Sequence, residues 1–211
     1  MTAVTEHAPT RGQRRKALTA AAILDAAREL FFVNGVTRTT IDEIAERADV
    51  SVGSVYFHFR SKEGVYLALV EEALDVNERY MADVPADPSP LARMLAAGEA
   101  YLRFHLERPD AFRLVALRML EPAGADLSEA EQRIADRVER LVGAVGADLQ
   151  AAIDAGEVRP ISAVDGMRFL WGAWNGVIAL TLRQDRLRLT DDELRAALAE
   201  GRAIIERGLA A

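Results

Sequence analysis

No cysteine occurs in the 211 residues, which excludes disulfides and thiolate metal sites. Histidine is scarce too: His7, His58 and His105 lie far apart and form no metal-ligand spacing. Lysine is scarcer still, with Lys16 and Lys62 standing against twenty-four arginines. No apolar run reaches the roughly 20 residues that span a bilayer. The leading stretch MTAVTEHAPTRGQRRKAL lacks the apolar core of a secretory signal. These absences predict a cytoplasmic chain with no membrane partner. Also missing are an HExxH pair, a P-loop, a G-x-G-x-x-G run and a G-x-S-x-G elbow. No catalytic residue, metal or cofactor is therefore expected. The many carboxylates fall at surface-type helical positions near arginines. Alternating β-branched runs are lacking as well, which argues against a sheet.

What is present is helical. Ala, Leu, Arg and Glu dominate, and 50% hydrophobic with 28% charged residues suits a folded globular chain. Nine helices are expected, an all-α fold. The first runs from about Arg15 to Asn34, with Ala21, Leu24, Ala27, Leu30 and Phe31 facing inward and Gly35 in the left-handed C-terminal position. A fourth runs from Ser61 to about Met81. The segment DVPADPSP, with three prolines, is the clearest linker. A fifth helix follows from Ser89-Pro90 to Glu107 and a sixth from Pro109 to Leu120; EPAGAD is a second break. Capping pairs Ser128/Glu131, Ser162/Asp165 and Thr190/Glu193 open the last three, which end near Ala155, Arg183 and Arg207.

The most informative stretch is RTTIDEIAERADVSVGSVYFHFRSKE, residues 38–63. Thr40 with Glu43 forms a capping box that starts a helix burying Ile44, Ala45 and Ala48. Asp49 ends it, since Asp tolerates the left-handed backbone of a tight turn, and Val50 plugs that turn. Ser51 caps the next helix. At about 100° per residue, Val55 and Phe59 share one side and Gly53 and Phe57 the other. The outer side is small at its start, so the helix can approach a groove floor. This is the layout of a helix-turn-helix DNA reader.

Residues 17–65 resemble the DNA-binding domain of the TetR/AcrR family of bacterial regulators. The matching strings are ILDAARELF with Gly35, TTIDEIA, and VSVGSVYFHFRSKE. Asp49 stands where the family usually has Gly, and Val65 where Leu is usual. The resemblance implies an N-terminal helix-turn-helix head of three helices and a C-terminal helical bundle for ligand binding and dimerisation. The expected division is a disordered basic arm over 1–14, the head over 15–60 and the bundle over 61–211.

Charge supports this division. The net charge is −7, but residues 1–62 carry +2 and the remainder −9. Binding follows the local field, which salt confines to about 8–10 Å. Tyr56, His58 and Lys62 are phosphate-clamp candidates, and Thr40 and Ser51 stand at helix starts where backbone N–H groups add to such contacts. The resemblance points Val52, Gly53 and Ser54 at the groove, and Phe57, on the same side as Gly53, is a further DNA-binding candidate. None has the bidentate geometry of Arg or Asn toward a purine, so DNA shape is expected to share in specificity. Arg14, Arg15 and Lys16 are either phosphate contacts or a solvated charge run.

In the bundle, the eighth helix carries two apolar stripes: Val164, Met167, Trp171, Trp174, Ile178 and Leu182, then Phe169, Ala173, Gly176 and Leu180. The ninth carries Leu194, Ala197, Leu198, Gly201, Ile204 and Ile205. Two faces need two partners, and two such helices from each chain build a four-helix homodimer interface. Tyr101, Phe104, His105, Phe112, Met119, Met167, Trp171 and Trp174 are candidate pocket walls, with Arg113, Asn175 and His105 as its polar groups. The string WNG at 174–176 resembles a subgroup of the family with His at its centre; Asn175 removes that titratable group. The expected function is a transcriptional regulator, a repressor released from double-stranded operator DNA by a small molecule. Asp49 and the lack of a strong base-reading side chain leave a second reading open: a helical dimer that has lost DNA binding and serves as a ligand-binding or protein-interaction module.

Overall fold

Thr10 starts the first helix. Its hydroxyl accepts from Gln13 N at 3.2 Å while Gln13 Oε1 accepts from Thr10 N at 2.7 Å, a reciprocal cap that begins α1 at Arg11 and carries it to Asn34. Sequence reading put this start at about Arg15, without using the Thr10/Gln13 box. The basic residues 11–14 are therefore helical, while the rest of the expected arm, 1–9, lies outside the described residues. A computed structural model describes residues 10–120, 127–183 and 185–210. The expected EPAGAD break falls outside them.

Among the described residues there are nine α-helices and no strand. After α1 come α2 (Ile41–Arg47), α3 (Val52–Phe59), α4 (Lys62–Ala82), α5 (Pro90–Glu107), α6 (Pro109–Leu120), α7 (Glu129–Asp154), α8 (Ala163–Ala179) and α9 (Asp191–Leu209). The chain divides into two compact units between Leu69 and Val70, within α4 rather than at its start.

In unit 1, α1 buries Ile23, Leu24, Ala26, Ala27 and Phe31. Ala21 is exposed and Leu30 half-buried, so the inner face is rotated by about one position from the expected stripe. Against it pack Ile44, Ala45 and Val55, with Ile44 and Val55 both at 0% exposure. Each such side chain contributes about 1.5–3 kcal/mol through its removal from water. Ala48, expected inside, is half-buried. Phe31 meets Tyr66 edge-on at 6.3 Å, and Val65 is fully buried, so the branched residue in place of Leu is accommodated.

In unit 2, α5, α7 and α8 form the centre. Met94, Leu149, Ala152 and Val158 make one buried cluster, with Leu95, Val145 and Met167 against it. Phe104 and Phe112 meet edge-to-face at 5.7 Å, and Tyr101 lies 5.5 Å from Phe112. Charge pairs tie the helices at their rims. Arg137 donates to Glu78 at 2.8 Å and Asp75 at 2.6 Å, and Arg93 to Asp148 at 2.6 Å. Gly156, with φ 73, ends α7 as expected: its N–H donates to Ile153 O and that of Glu157 to Ala152 O. The eighth helix stops at Ala179, short of the expected Arg183, and finishes as a 3-10 turn over Leu180–Leu182. The ninth passes through Gly208 to Leu209, because Arg159 satisfies its last carbonyls, donating from N to Leu209 O at 2.9 Å and from Nε to Gly208 O at 2.6 Å.

Candidate nucleic-acid interface and effector cavity

The turn between α2 and α3 shows how an unusual residue keeps the motif. Asp49 has φ 53. Its N–H donates to Glu46 O at 3.2 Å, and Val50 N–H to Ala45 O at 3.0 Å. Those two bonds define a Schellman ending, whose C′ position takes glycine or a short polar residue. Asp49 therefore supplies the left-handed conformation that glycine gives elsewhere. Ser51 then accepts from Ser54 N at 3.2 Å and launches α3.

The outward face of α3 is open. Tyr56 is 51% and Phe57 71% exposed, beside fully buried Val55. Ser51 and Gly53 are exposed, and Val52 and Ser54 half-buried. His58 is half-buried, with Phe57 at 5.3 Å and Phe59 at 6.0 Å. Lys16 Nζ stands 5.2 Å above the Phe57 ring, a cation–π contact that brings one turn of α1 beside α3. Thr40 is exposed at the start of α2; its hydroxyl accepts from Glu43 N at 3.2 Å. That cap holds the Glu43 carboxyl below its ordinary range, chiefly through the Thr40 backbone N–H.

Lys62 does a different job from the one expected. Its ammonium donates to Val36 O at 2.8 Å, Thr37 O at 3.1 Å and Thr39 O at 2.8 Å. An ammonium has three N–H groups, so all are committed to the loop between α1 and α2, and none is left for a phosphate. The lysine positions the start of α2 from the start of α4. Sequence reading missed this because the partners are backbone carbonyls more than twenty residues away. It also passed over Arg38 and Arg60, which are exposed and form no ion pair among the described residues, like Arg11, Arg14 and Arg15. Arg60 has φ 65 and caps α3, its N–H donating to Tyr56 O at 2.9 Å, while the N–H of its neighbour Ser61 donates to Phe59 O at 2.8 Å in a tight turn. Gly64 is required there: a Cβ would lie 2.0 Å from Phe59 O.

Unit 2 holds a partly open cavity of about 120 Å3. Leu74, Asn77 and Met81 of α4 form one wall, Leu95, Gly98 and Tyr101 of α5 another. Val115 and Met119 of α6, Val138, Leu141, Val142 and Val145 of α7, Met167, Trp171 and Trp174 of α8 and Ile205 of α9 line the rest. A wider cleft of about 900 Å3 shares Met119, Met167 and Trp171 with it. Of the expected pocket residues, Tyr101, Met119, Met167, Trp171 and Trp174 line these spaces. Phe104, His105 and Phe112 do not: they are buried in the aromatic core, with His105 4.5 Å from Phe112. Arg113 is half-buried away from both walls. Asn175 stands behind the wall, its Oδ1 accepting from Tyr101 OH at 2.8 Å and its Nδ2 donating to Trp171 O at 2.8 Å. Burial raises the Tyr101 hydroxyl far above its usual range, so it stays protonated. His105 is held below its ordinary value by burial, partly offset by Asp191. Sequence reading missed Asn77 and the α7 stripe; the 138/141/142/145 spacing of that stripe was the available signal.

On α8, Phe169 (70%) and Val164 (60%) are exposed, as is Ile204 (59%) on α9. Gly172 and Gly176 lie open beside Phe169. Val164, though exposed, borders the wider cleft together with Met167 and Trp171 of its stripe.

The family model described as bacterial regulatory proteins, tetR family, matches residues 23–69, and the tetracyclin repressor-like C-terminal domain matches residues 94–201. The chain belongs to the TetR family. The HTH-type transcriptional regulator RutR of Escherichia coli K12 is 32% identical over 170 residues, covering 78% of this chain and 76% of RutR. TcmR of Streptomyces glaucescens is 28% identical over 196 residues, 89% of this chain and 82% of TcmR. A bacterial regulatory protein of the tetR family from Rhodococcus RHA1 matches the fold with a TM-score of 0.70 at 24% identity, covering 91% of this chain and 97% of its own. This TetR-family member is a DNA-binding transcriptional regulator that responds to a small molecule and acts as a homodimer on operator DNA. No helix among the described residues is long and apolar enough to cross a membrane.

Proposed function

We propose that this regulator is a cytoplasmic repressor without enzymatic activity, whose unit 1 reads the operator and whose unit 2 binds the effector and pairs the chains. The observation that carries the DNA-reading half is the open face of α3, with Tyr56 and Phe57 exposed beside a fully buried Val55. Phosphates meet Thr40, Ser51, Tyr56 and the unpaired arginines of unit 1. Base edges meet Val52, Gly53 and Ser54, where Val52 suits a thymine methyl and Ser54 a hydrogen-bonding edge. Lys62 acts through the loop it holds.

The effector occupies the cavity between α4, α5, α7 and α8. Because α4 runs unbroken from Lys62 to Asn77 and on to Ala82, one helix carries both a cavity wall and the cation that sets the start of α2. A ligand that prefers one placement of that helix therefore weakens operator binding. Complete switching requires a preference of about 5.5 kcal/mol. Two copies pair through the apolar faces of α8 and α9 that contain Phe169 and Ile204.

The test is operator binding measured by anisotropy across a salt series. Each phosphate neutralised by a Lys or Arg adds about 0.9 to the log–log slope, so a steep slope is expected; Tyr56→Phe removes a neutral donor, so it lowers affinity and leaves the slope as it was. A salt-insensitive complex removes this reading.

A further inference from the structure

Asn77, on the cavity wall, holds a buried acceptor with nothing to bind. Asn77 is 5% exposed, and its Oδ1 has no hydrogen-bond partner. Leaving a buried acceptor unpaired is unfavourable, and such an atom calls for a partner. Three other polar side chains on this wall have partners. Tyr101 OH donates to Asn175 Oδ1 at 2.8 Å. Trp174 Nε1 donates to Gly98 O at 3.3 Å. Arg202, the one basic side chain on the wall among the described residues, donates from Nε to Glu206 at 2.8 Å and from Nη1 to Glu99 at 3.2 Å. Its charge is thus balanced by two carboxylates.

We infer that the effector is an uncharged, largely apolar molecule carrying one hydroxyl or N–H donor, and that Asn77 Oδ1 accepts from that donor. This rests on the cavity being the effector site. Apolar walls supply most of the contact area, from Leu74 and Met81 on the same helix as Asn77 to Val142 and Met167 opposite. An anionic ligand would have to displace Glu99 or Glu206 from Arg202 before finding a counter-charge. A ligand with acceptors alone would leave Asn77 Oδ1 as it stands. Which end of the amide faces the cavity depends on a terminal torsion that is broad in asparagine, so the head turns without disturbing α4.

The molecule holds its own reporter. Trp171 and Trp174 are its two tryptophans and both line the cavity. Intrinsic fluorescence of the full-length dimer is titrated with 1-octanol, with its methyl ether 1-methoxyoctane, and with octanoate at pH 7.5. The alcohol is expected to bind about tenfold tighter than the ether, the size of one hydrogen bond to a buried acceptor, and octanoate to bind weakest. Asn77→Leu, checked for folding by its melting curve, is expected to erase or invert the preference for the alcohol. Equal binding of alcohol and ether by the wild-type protein overturns the inference on its own, with no need of the variant. So does an unchanged preference in Asn77→Leu, or octanoate binding tightest. If none of the three alters the emission, the cavity is not a ligand site, and the reading beneath the inference falls with it.

Discussion

Unit 1 leaves five of its seven arginines without an ion pair among the described residues, Arg28 and Arg47 being the paired ones, while the arginines that bridge helices in unit 2 are paired. In unit 1, Arg11, Arg14, Arg15, Arg38 and Arg60 are exposed and carry no ion pair among the described residues, and Lys16 leans on the exposed ring of Phe57. In unit 2, the arginines between helices are neutralised where they stand: Arg93 by Asp148, Arg133 by Glu71, Arg137 by Asp75 and Glu78, Arg202 by Glu99 and Glu206. An unpaired surface cation keeps its field for an outside anion, whereas a paired one stitches its own fold. A chain of net charge −7 can therefore present a basic tip to DNA. Local pairing, rather than total charge, decides the partner.

The strongest blow to this contrast is struck at the dimer face. Phe169→Glu puts a charge on an apolar surface of unit 2 without touching unit 1. Sedimentation is expected to show monomers, and operator affinity to fall by about 100-fold or more, because two half-sites are no longer linked. Unaltered mass and affinity would move the pairing surface elsewhere. Next in size is Lys62→Met. If the lysine is a positioning residue, the protein melts lower by about 1–3 kcal/mol as its bonds to three carbonyls are lost, while the salt slope of DNA binding stays as it was. A lower slope with unchanged melting would return Lys62 to the phosphate clamp.

Arg14→Gln with Arg15→Gln sharpens the comparison from the other side. If both touch phosphate, the slope falls by about 1.8 and thermal stability stays within about 0.5 kcal/mol. An unchanged slope makes them a solvated run. The smallest effect belongs to His105, inside unit 2. Its pKa is lowered in the fold mainly by burial, so the neutral form is the one the fold favours. Its contribution is complete above the unfolded value of about 6.5 and is lost as pH falls from there through the lowered folded value. Melting temperatures of wild type and His105→Gln are expected to converge between pH 7.5 and 5.5; parallel curves would show that the imidazole does not titrate with folding.

Unit 1 was legible because its determinants are local. Thr40/Glu43, Asp49 and Ser51 each act within a few residues, and the structure shows both caps and the left-handed turn at the anticipated positions. What escaped was long-range: Lys62 reaching back to residues 36–39, and the inner face of α1, whose rotation is fixed by what packs on it. In unit 2 the helices were largely readable and the cavity only partly. Its walls come from six helices, and composition does not reveal that Phe104 and Phe112 close a core while Tyr101, one turn before Phe104, borders open space. Asn77 carried no signal at all, since a single Asn on an acidic helix reads as a surface residue until its burial is seen.

The most direct test exposes the purified dimer to fragments of the source genome, recovers and sequences what is bound, and repeats the selection with Tyr56→Ala. Enriched fragments sharing an inverted repeat with half-sites about 34–36 Å apart, and lost with Tyr56→Ala, are the expected result. No enrichment, or enrichment that survives the substitution, would contradict the assignment of α3 as the DNA-reading element.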